Sequence, residues 1–312
     1  TTNPNQAFVF GTWTKEMSPI RIMGEAIVPL GKTLIIEPGV EVLFKTGTQQ
    51  DYNNVNFDIA FLVVEGSIIA IGNSSDSIAF VGDGNNEYWG GIIITKGVTQ
   101  CSLKYCTVKN TGEVKNYDFN GITGSNSSLI IARDSVKVEN STFSELGSYY
   151  AIAIDKCSPF IDSTLIKNAT SGIGGKGFNG TIQNSTFSNC SRSACYLFAW
   201  SKGILNNNHV YNCNIGFEIA GGSSTIVANS YFSENSVAFI VSEAEPCFYN
   251  NIAYKNETVV SLRESWTPLF SNNIFYNNEV AVSNFAGAPA EFYNSVFYKN
   301  NIDLDLNSKI EF

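Results

Sequence analysis

A segment of nine residues occurs three times near the C-terminal end of the chain, at a spacing of 22 residues. The copies FYNNIAYKN, FSNNIFYNN and FYNSVFYKN begin at Phe248, Phe270 and Phe292. We call the polar residue two positions after the leading apolar residue of each copy its anchor. The pattern extends toward the N-terminus at similar intervals, with a rougher copy at Tyr105. The anchors are Asn140, Asp162, Asn184, Asn207, Asn229, Asn250, Asn272 and Asn294. A period near 22 residues with β-type composition predicts a solenoid in which each repeat forms one coil.

Apolar residues recur at two fixed positions of this repeat. Two residues before the anchor the chain has Leu103, Val138, Phe160, Ile182, Leu205, Val227, Phe248, Phe270 and Phe292. Three residues after it are Val108, Phe143, Leu165, Phe187, Val210, Phe232, Ala253, Phe275 and Phe297. Stacked coils would align each set along the interior, at the strand spacing of roughly 4.8 Å. The repeat therefore predicts an all-β solenoid with these residues in its core.

The anchor residues themselves are nearly all Asn. Amides stacked inside the turns could donate to one coil and accept from the next, which would satisfy polar groups that burial otherwise leaves unpaired. We therefore expect the anchors to form an internal Asn ladder. The alternative is that Asn occurs there because surface turns favour residues that tolerate the left-handed backbone conformation.

The net charge of the chain argues against two classes of binding partner. The net charge of −9 argues against nucleic-acid binding, which requires a basic surface. The same charge, with only four arginines in the chain, disfavours polyanions such as pectate or alginate. No segment resembles a membrane span or a signal peptide, and the sequence starts without Met, as that of a processed exported protein would.

Cysteine and histidine provide no evident metal site or cofactor site. The seven cysteines are too few and too scattered for a disulfide scaffold, and their spacings are not those of a metal site. Cys190 and Cys213 occupy near-equivalent positions of successive repeats, so they could form a bridge or stack as free thiols. His209 is the only histidine and is expected at the surface. Residues 83–87 could ligate Ca²⁺ through oxygen atoms, although an acidic turn without a metal is the simpler interpretation.

Several short motifs resemble those of a known family. GKTLIIEPGV at 31–40 is followed by LVVEG at 62–66 and WGGI at 89–92. Together with the later repeats, over residues 31–307, they resemble bacterial secreted right-handed parallel β-helix proteins. The resemblance implies the pectin-lyase-like fold, a single right-handed parallel β-helix of about twelve coils, and an extracellular or cell-surface location. It is specific for the fold and not for an activity.

The repeat and the motifs also predict the domain organisation. Residues 1–30 are expected to form an N-terminal cap segment, and residues 31–312 the β-helix. Residues 111–128 exceed the length of one coil and are rich in Gly, Asn and Ser, so we expect an inserted loop there. Such a loop either carries function or is a tolerated surface excursion.

Catalytic members of the family that the chain resembles carry acids, lysines or arginines on the outer face of the strand before the apolar–Asn turn. The matching strands here place Leu197, Glu218 and Arg263 outward, so Glu218 and Arg263 are the candidate catalytic residues. Glycoside hydrolysis needs two carboxylates about 5–9.5 Å apart, and neighbouring coils supply no such pair before the last coil. We therefore favour a non-catalytic protein, with a polysaccharide lyase or glycoside hydrolase as the alternative.

The last three repeats predict an exposed interaction surface. Two and four residues after the anchor they carry Ile252 and Tyr254, Ile274 and Tyr276, and Val296 and Tyr298. An exposed apolar surface of this kind typically marks a binding site. We predict that it binds a polysaccharide or a surface protein. Strand propensity alone, or stacking under a covering loop, would also explain the pattern.

Overall fold

The computed structural model describes residues 6–47, 59–84, 88–97, 99–112, 118–119, 122–123, 127–264, 266–284 and 289–306, with the backbone alone at 118–119, 122–123 and 306. The chain divides into two compact units, Thr1–Thr170 and Ser171–Phe312. Each unit is built of coils with three short strands. Strands at equivalent positions of successive coils pair in parallel and form three sheets, which we call A, B and C in chain order.

The first unit contains six coils. Its strands are β1 (Gln6–Phe8), β2 (Gly11–Trp13), β3 (Ile20–Ile22), β4 (Glu25–Val28), β5 (Thr33–Ile36), β6 (Glu41–Phe44), β7 (Phe61–Val64), β8 (Ser67–Ile71), β9 (Ile78–Gly82), β10 (Ile92–Ile94), β11 (Cys101–Lys104), β12 (Cys106–Lys109), β13 (Asp118–Phe119), β14 (Ile122–Thr123), β15 (Ser127–Ile131), β16 (Val136–Glu139), β17 (Thr142–Ser144), β18 (Tyr150–Asp155), β19 (Phe160–Asp162) and β20 (Leu165–Lys167). Sheet A contains β1, β4, β7, β10, β15 and β18, sheet B β2, β5, β8, β11, β16 and β19, and sheet C β3, β6, β9, β12, β17 and β20. A 3-10 helix, Lys15–Met17, follows β2.

The second unit continues the same order of strands. They are β21 (Ser171–Lys176), β22 (Thr181–Gln183), β23 (Thr186–Ser188), β24 (Ser193–Phe198), β25 (Ile204–Asn206), β26 (His209–Tyr211), β27 (Ile215–Ala220), β28 (Ile226–Ala228), β29 (Tyr231–Ser233), β30 (Val237–Ser242), β31 (Cys247–Tyr249), β32 (Ile252–Tyr254), β33 (Thr258–Arg263), β34 (Leu269–Ser271), β35 (Ile274–Tyr276), β36 (Val280–Asn284), β37 (Glu291–Tyr293), β38 (Val296–Tyr298) and β39 (Ile302–Leu306). Sheet A contains every third strand from β21 to β39, sheet B every third strand from β22 to β37, and sheet C every third strand from β23 to β38.

Residues in the left-handed backbone conformation make the turns. In the second unit the residue between each sheet B strand and the next sheet C strand is always Asn, with φ between 48° and 57°: Asn184, Asn207, Asn229, Asn250, Asn272 and Asn294. Asn adopts this conformation more readily than most residues because its short polar side chain bonds locally. A second left-handed residue ends each sheet C strand: Asn189, Asn212, Glu234, Lys255, Asn277 and Lys299. These two turns recur in every coil of the second unit.

The anchor residues are therefore turn residues, and the prediction that they point inward was wrong. Asn250 and Asn272 are exposed, whereas Asn251 and Asn273, one residue later, are fully buried. The backbone N–H and the side-chain amide of Asn251 both donate to Oδ1 of Asn273, at 2.9 and 3.1 Å. The Asn273 amide in turn donates to the carbonyl of Phe248 at 3.0 Å. Buried amides are thus bonded from coil to coil, but one residue later than we expected.

A second buried column of this kind follows sheet C. Its members Asn235, Asn256, Asn278 and Asn300 are joined by amide-to-Oδ1 hydrogen bonds of 2.9–3.1 Å. The anchor residues instead bond along the outside, as Asn207 does when its amide donates to Oδ1 of Asn184 at 2.7 Å. Burial leaves an amide without water, so within each interior column an Asn side chain bonds to the Asn of the next coil and to a backbone carbonyl.

The two apolar columns line the interior as predicted. Phe248 pairs in register with Phe270, and Phe270 with Phe292. Their rings stack with centroids 4.5 and 4.7 Å apart. One coil departs from the predicted spacing at both positions, because its left-handed residue is Ser163 (φ 50°). Ile161 and Ile166 are buried there, whereas Phe160 and Leu165 are half-buried, so the prediction was wrong for these two residues. The expected anchor Asp162 lies one residue before that turn.

The predicted cap segment and inserted loop both contain strands, and their roles stay predictions. Within 1–30 the structure has β1, β2 and β3, the first strands of sheets A, B and C, and also β4 of sheet A. Within the predicted insertion, residues 118–119 and 122–123 form a short antiparallel hairpin. Residues 127–128 already belong to β15 of sheet A. The other residues of 113–126 lie outside the described part of the chain.

The chain is an all-β parallel solenoid of about twelve coils, as the repeat predicted. The described residues contain no α-helix. They also contain no helix that could span a membrane.

Candidate functional site

The outer face of sheet A differs between the two units. In the first unit it is closed, since register aligns Ile27, Val63, Ile93 and Ile130 in one outward row that is almost fully buried. In the second unit the corresponding row contains Gly174, Tyr196, Glu218, Ile240, Ser261, Ser283 and Asp305. Tyr196 and Glu218 in this row are partly exposed. Among the described residues, this row of the second unit therefore offers side chains that a ligand could contact.

Glu218 lies beside aromatic and polar groups. Its Oε2 accepts a hydrogen bond of 3.0 Å from Ser193 Oγ. Tyr196 is its register partner on the neighbouring strand. Burial, and the negative charge of Glu218, raise the pKa of Tyr196, while Arg192 opposes the shift. The phenol therefore stays protonated and can donate a hydrogen bond at neutral pH.

The predicted pair Glu218 and Arg263 is not brought together. Glu218 pairs with Ile240, which pairs with Ser261, and Arg263 lies two residues beyond Ser261. The two charged residues are thus separated by two strand spacings, roughly 10 Å, and by an offset along the strand. Arg263 is exposed at the end of β33.

Glu218 also has no second carboxylate beside it in its row. The next acid among the described residues of that row is Asp305, four strands away, or roughly 19 Å at the parallel spacing. Hydrolysis of a glycosidic bond by the usual mechanism requires two carboxylates within about 10 Å. The row therefore does not supply the geometry of a glycoside hydrolase.

Two exposed tryptophans lie at the ends of sheet A strands. Trp200 follows β24 and Trp266 follows β33, and their side chains are 65% and 42% exposed. Their ring centroids are 5.9 Å apart, with an interplanar angle of 50°. Trp200 is held in place by its backbone, whose N–H donates to Gly221 at 3.0 Å. Its ring lies over Gly222, where any Cβ would come within 2.6 Å of it. We call Trp200 and Trp266 the tryptophan pair.

A second aromatic contact extends this surface along β24. Tyr196 and Phe198 stack with centroids 4.9 Å apart and an interplanar angle of 17°. Leu197 between them is fully buried, so the prediction that it faces outward was wrong. The reason is register: Leu197 pairs with Ile219, an interior residue, and the alternate residues therefore face outward.

Sequence reasoning did not identify Tyr196, Phe198 or the tryptophan pair. Trp200 and Trp266 lie in turns outside the repeated segment, so no column of the repeat contained them. Trp200 also has φ 65°, which is unusual for a bulky residue and reflects a turn that the sequence does not reveal. The available signal was the rarity of tryptophan: the chain has only four.

The residues of the predicted interaction surface lie together on sheet C of the second unit, where we call them the tyrosine strip, and their role in binding stays a prediction. Register places Ile252, Ile274 and Val296 in one row and Tyr254, Tyr276 and Tyr298 in the next. Ile252, Ile274, Val296 and Tyr298 are 37–55% exposed. Tyr254 and Tyr276 stack at 4.5 Å and 19°. Their ring faces are turned to each other, so the strip presents ring edges and hydroxyl groups outward.

Cations lie at both ends of the tyrosine strip. Lys255 Nζ is 5.0 Å from the centroid of the Tyr254 ring, and Lys299 Nζ is 5.2 Å from that of Tyr298. At the far end of the same sheet, burial holds the pKa of His209 below 6.5. His209 is exposed and contacts the ring of Tyr231 at 5.2 Å.

The calcium prediction stays a prediction. Asp83 is engaged by protein groups, since its Oδ1 accepts from the Thr46 backbone N–H at 3.1 Å and its Oδ2 lies 3.6 Å from Arg21. Residues 85–87 of that loop lie outside the described part of the chain. Over the residues that the structure does describe, no cluster of three or more His, Cys, Asp or Glu side chains could hold a metal ion.

Comparison with solved structures finds a similar fold in an epimerase, a polygalacturonase and a tailspike protein. The periplasmic alginate epimerase AlgG aligns over 98% of this chain and 84% of its own, with 11% identity and a TM-score of 0.61. A family 28 exopolygalacturonase of Yersinia enterocolitica aligns over 99% and 73%, with 10% identity and a TM-score of 0.54. The tailspike protein of E. coli bacteriophage HK620, a mutant in complex with a hexasaccharide, aligns over 86% and 58%, with 12% identity and a TM-score of 0.50. At these identities the similarity establishes the fold alone.

Comparison at the sequence level gives a result for the middle of the chain. A comparison with curated protein sequences found no match. The model of the family described as the right handed beta helix region matches residues 120–261. This match, the parallel register of the coils and the structural neighbours agree that the chain has the fold of the right-handed parallel β-helix proteins.

Proposed function

We propose that this protein is an exported, non-catalytic β-helix protein that binds carbohydrate through the tryptophan pair. The observation that carries the proposal is the exposure of Trp200 and Trp266, at 65% and 42%, side by side on one surface. Exposing two indole rings to water is unfavourable unless a partner covers them. Indole faces accept the apolar C–H faces of sugar rings, and the indole N–H can bond to sugar hydroxyls.

Polar groups near the tryptophan pair suit a sugar ligand. Tyr196 keeps its hydroxyl proton, and Glu218 keeps acceptor capacity beyond its bond to Ser193. The fold adds support, since AlgG is an alginate epimerase and the HK620 tailspike was solved with a hexasaccharide. Export is supported in the same way, because AlgG is periplasmic.

The isolation of Glu218 from other carboxylates in its row supports a non-catalytic role. A cleaving enzyme on this face would need a second acid or a base beside Glu218, and its row offers Tyr196 and Ile240 as direct neighbours. Ile240 is 1% exposed and cannot contribute chemistry. We therefore assign Glu218 to hydrogen bonding and not to acid catalysis.

The test is a glycan array of neutral and acidic polysaccharides, followed by calorimetry on each ligand found. We expect Trp200→Ala and Trp266→Ala each to weaken binding at least tenfold, because each removes about 1.4 kcal/mol or more of stacking. Tyr88→Ala is the matched control, since Tyr88 is exposed to 43% in the first unit. Unchanged affinity in both tryptophan variants would exclude the tryptophan pair as the binding site.

Catalysis is tested separately on the same polysaccharides. Assays for new reducing ends and for unsaturated products should stay at background with the unaltered protein. If the unaltered protein forms product and Glu218→Gln or Arg263→Ala abolishes it, the protein is a lyase or hydrolase and the non-catalytic proposal is wrong. Glu264→Gln is the control, because Glu264 is exposed in the turn after β33.

The tyrosine strip is a second candidate binding surface, for a polysaccharide or a surface protein. It is favoured by the row of Ile252, Ile274 and Val296, each at least 37% exposed, at the regular strand spacing. The ligands found on the array should be measured with the double variant Tyr254→Ala/Tyr276→Ala. If this double variant loses binding while the tryptophan variants keep it, the binding site is the tyrosine strip and not the tryptophan pair. If no detected ligand responds, the strip has no role in binding those ligands.

A further inference from the structure

Two cysteines begin the buried column that continues as asparagine in later coils. After sheet C the column consists of Cys190, Cys213, Asn235, Asn256, Asn278 and Asn300. The backbone N–H of Cys213 donates to Oδ1 of Asn235 at 2.9 Å, just as each later Asn donates to the next. Between Cys190 and Cys213 no amide is present, and two thiols face each other instead.

The two cysteines are close enough to be joined. Ser188 and Tyr211, which precede them by two residues, are register partners. The Asn214 N–H donates to the Cys190 carbonyl at 3.0 Å. Neighbouring parallel strands are roughly 4.8 Å apart, which falls within the Cα–Cα range of roughly 4.4–6.8 Å that a disulfide spans. The thiol of Cys190 already makes a hydrogen bond with that of Cys213.

A surface cavity lies beside the two cysteines. It has a volume of about 620 Å³, and its lining includes Cys190, Cys213, Asn212, Glu234 and Lys255. Cavities of this volume are large enough for a small organic molecule. Both cysteines are nearly buried, at 1% and 3% exposure. A small reagent in the cavity would therefore reach the sulfur atoms when the turns that cover them open locally.

The two thiols differ in acidity. The hydrogen bond from Cys190 lowers the pKa of Cys213, although burial opposes the shift. The same hydrogen bond, together with burial, raises the pKa of Cys190. Burial also raises the pKa of Cys106 and of Cys157 to about 12. Cys213 is thus the more acidic thiol of the pair, and we assign it the attacking role in exchange with a disulfide.

We propose that Cys190 and Cys213 are a redox pair that forms a disulfide between neighbouring coils by exchange with a low-molecular-weight disulfide. The Cys213 thiolate attacks one sulfur of the reagent, whose S–S bond breaks and releases one thiolate. Cys190 then loses its proton and attacks the Cys213 sulfur, which breaks the mixed disulfide and releases the second thiolate. The two protons of the cysteines end on the two released thiols. The protein dithiol is oxidised and the reagent disulfide is reduced to two thiols.

The bridge would join the two strands that carry part of the candidate site. Cys190 precedes β24, which contains Tyr196 and Phe198, and Cys213 precedes β27, which contains Glu218. A cross-link between successive coils restricts the unfolded chain more than the folded one. The oxidised protein should therefore have a higher thermal midpoint than the reduced protein, by several degrees. This effect does not depend on carbohydrate binding.

The experiment treats the folded, reduced protein with oxidised glutathione and then blocks remaining thiols with iodoacetamide. Peptide mapping without reduction should find a Cys190–Cys213 cross-link, and the intact mass should fall by two hydrogen atoms. Cys157→Ser should leave the cross-link unchanged, because Cys157 has no part in it. Cys213→Ser should abolish it and the rise in thermal midpoint, with far-UV circular dichroism confirming that the variant is folded.

Three results would overturn the proposal. The first is full alkylation of both Cys190 and Cys213 after oxidation, as in the reduced sample. The second is a stable glutathione adduct on Cys213 without the cross-link. The third is a cross-link that joins Cys190 to Cys195, the buried cysteine of β24, instead of Cys213. Each is read from the unaltered protein, so none depends on the folding of a variant.

Discussion

At the scale of single residues, neighbouring asparagines have opposite tasks. Asn272 occupies the left-handed turn position with φ 57° and is exposed. Asn273 is fully buried and serves Asn251 and Phe248 through its side chain. Asn272 adopts the backbone conformation of the turn, and Asn273 provides hydrogen-bond partners for polar groups that the turn buries. The anchor residues and the residues one position later recur with the same period. The repeat alone therefore could not decide which of the two is buried, and the prediction chose the anchor.

The substitution Asn273→Ala should lower the free energy of unfolding by about 3 kcal/mol. It removes the side-chain partner of the Asn251 N–H and of the Phe248 carbonyl, and it leaves the Asn251 amide with only its bond to Val227. Urea denaturation measures this loss. Asn272→Gly is the matched control, since glycine adopts positive φ without strain, and we expect it to change stability by no more than about 0.5 kcal/mol. Equal losses in the two variants would contradict the assignment of the buried column.

Arg133 is a buried cation without a carboxylate partner among its described contacts. It is 1% exposed, and its guanidinium donates to the carbonyls of Thr95 at 2.9 Å, Glu65 at 2.8 Å and Gly66. A guanidinium has five N–H groups, so this single side chain can bond to carbonyls of several turns of the first unit at the same time. No part of the repeat predicted this residue.

For Arg133→Lys we expect a loss of about 3 kcal/mol in the free energy of unfolding, since an ammonium group cannot reach the same set of carbonyls. Arg263→Lys, at an exposed position, should change it by about 0.5 kcal/mol or less. Denaturant titrations of both variants make the comparison. A tolerated Arg133→Lys would show that the carbonyls find other donors.

At the scale of the strands, the interior depends on rows of equal side chains. Phe248, Phe270 and Phe292 stack with interplanar angles of 3° and 8°. Such rows form because parallel strands in register bring equivalent residues to the same height in each coil. Equivalent residues therefore recur about every 22 residues, and a longer coil keeps its register because the extra residues lie outside the strands, as between Leu103 and Val138.

Phe270 has a ring on both sides, so Phe270→Ala should create a cavity and cost about 3–5 kcal/mol in the free energy of unfolding. Leu30→Ala is the control, because Leu30 is 76% exposed, and it should cost about 0.5 kcal/mol or less. Thermal and urea unfolding of both variants test this difference. A small cost at Phe270 would mean that the neighbouring rings close the gap.

The shifted coil shows the limit of pattern reading at this scale. Phe160 and Ile161 are both apolar, so the pattern could not decide which of them faces inward. The structure decides through the turn, where Ser163 and not Asp162 takes the left-handed conformation. The buried position moves with it to Ile161.

At the scale of the whole molecule, charge separates the proposed ligands. The net charge of −9 repels polyanions over the Debye length, which is about 10 Å at 0.1 M salt. A neutral glycan should therefore bind the protein with an affinity that changes less than about twofold between low and high salt. Acidic polymers such as alginate should bind weakly at low salt and somewhat better as salt screens the repulsion. Calorimetry at two ionic strengths measures both, and tight binding of alginate at low salt would contradict this expectation.

The sequence by itself determined the coil, its period, its apolar columns and its parallel pairing, because each depends on residue types that recur at a fixed spacing. It also located the tyrosine strip, whose exposure on sheet C is as the spacing indicated. Tertiary structure decided which of two adjacent residues is buried, since that depends on the backbone conformation of one turn residue. It alone brought Trp200 to Trp266, because these residues lie in turns outside the repeated segment. For Cys190 and Cys213 the repeat indicated equivalent positions, and the stacking of the two coils decided their contact.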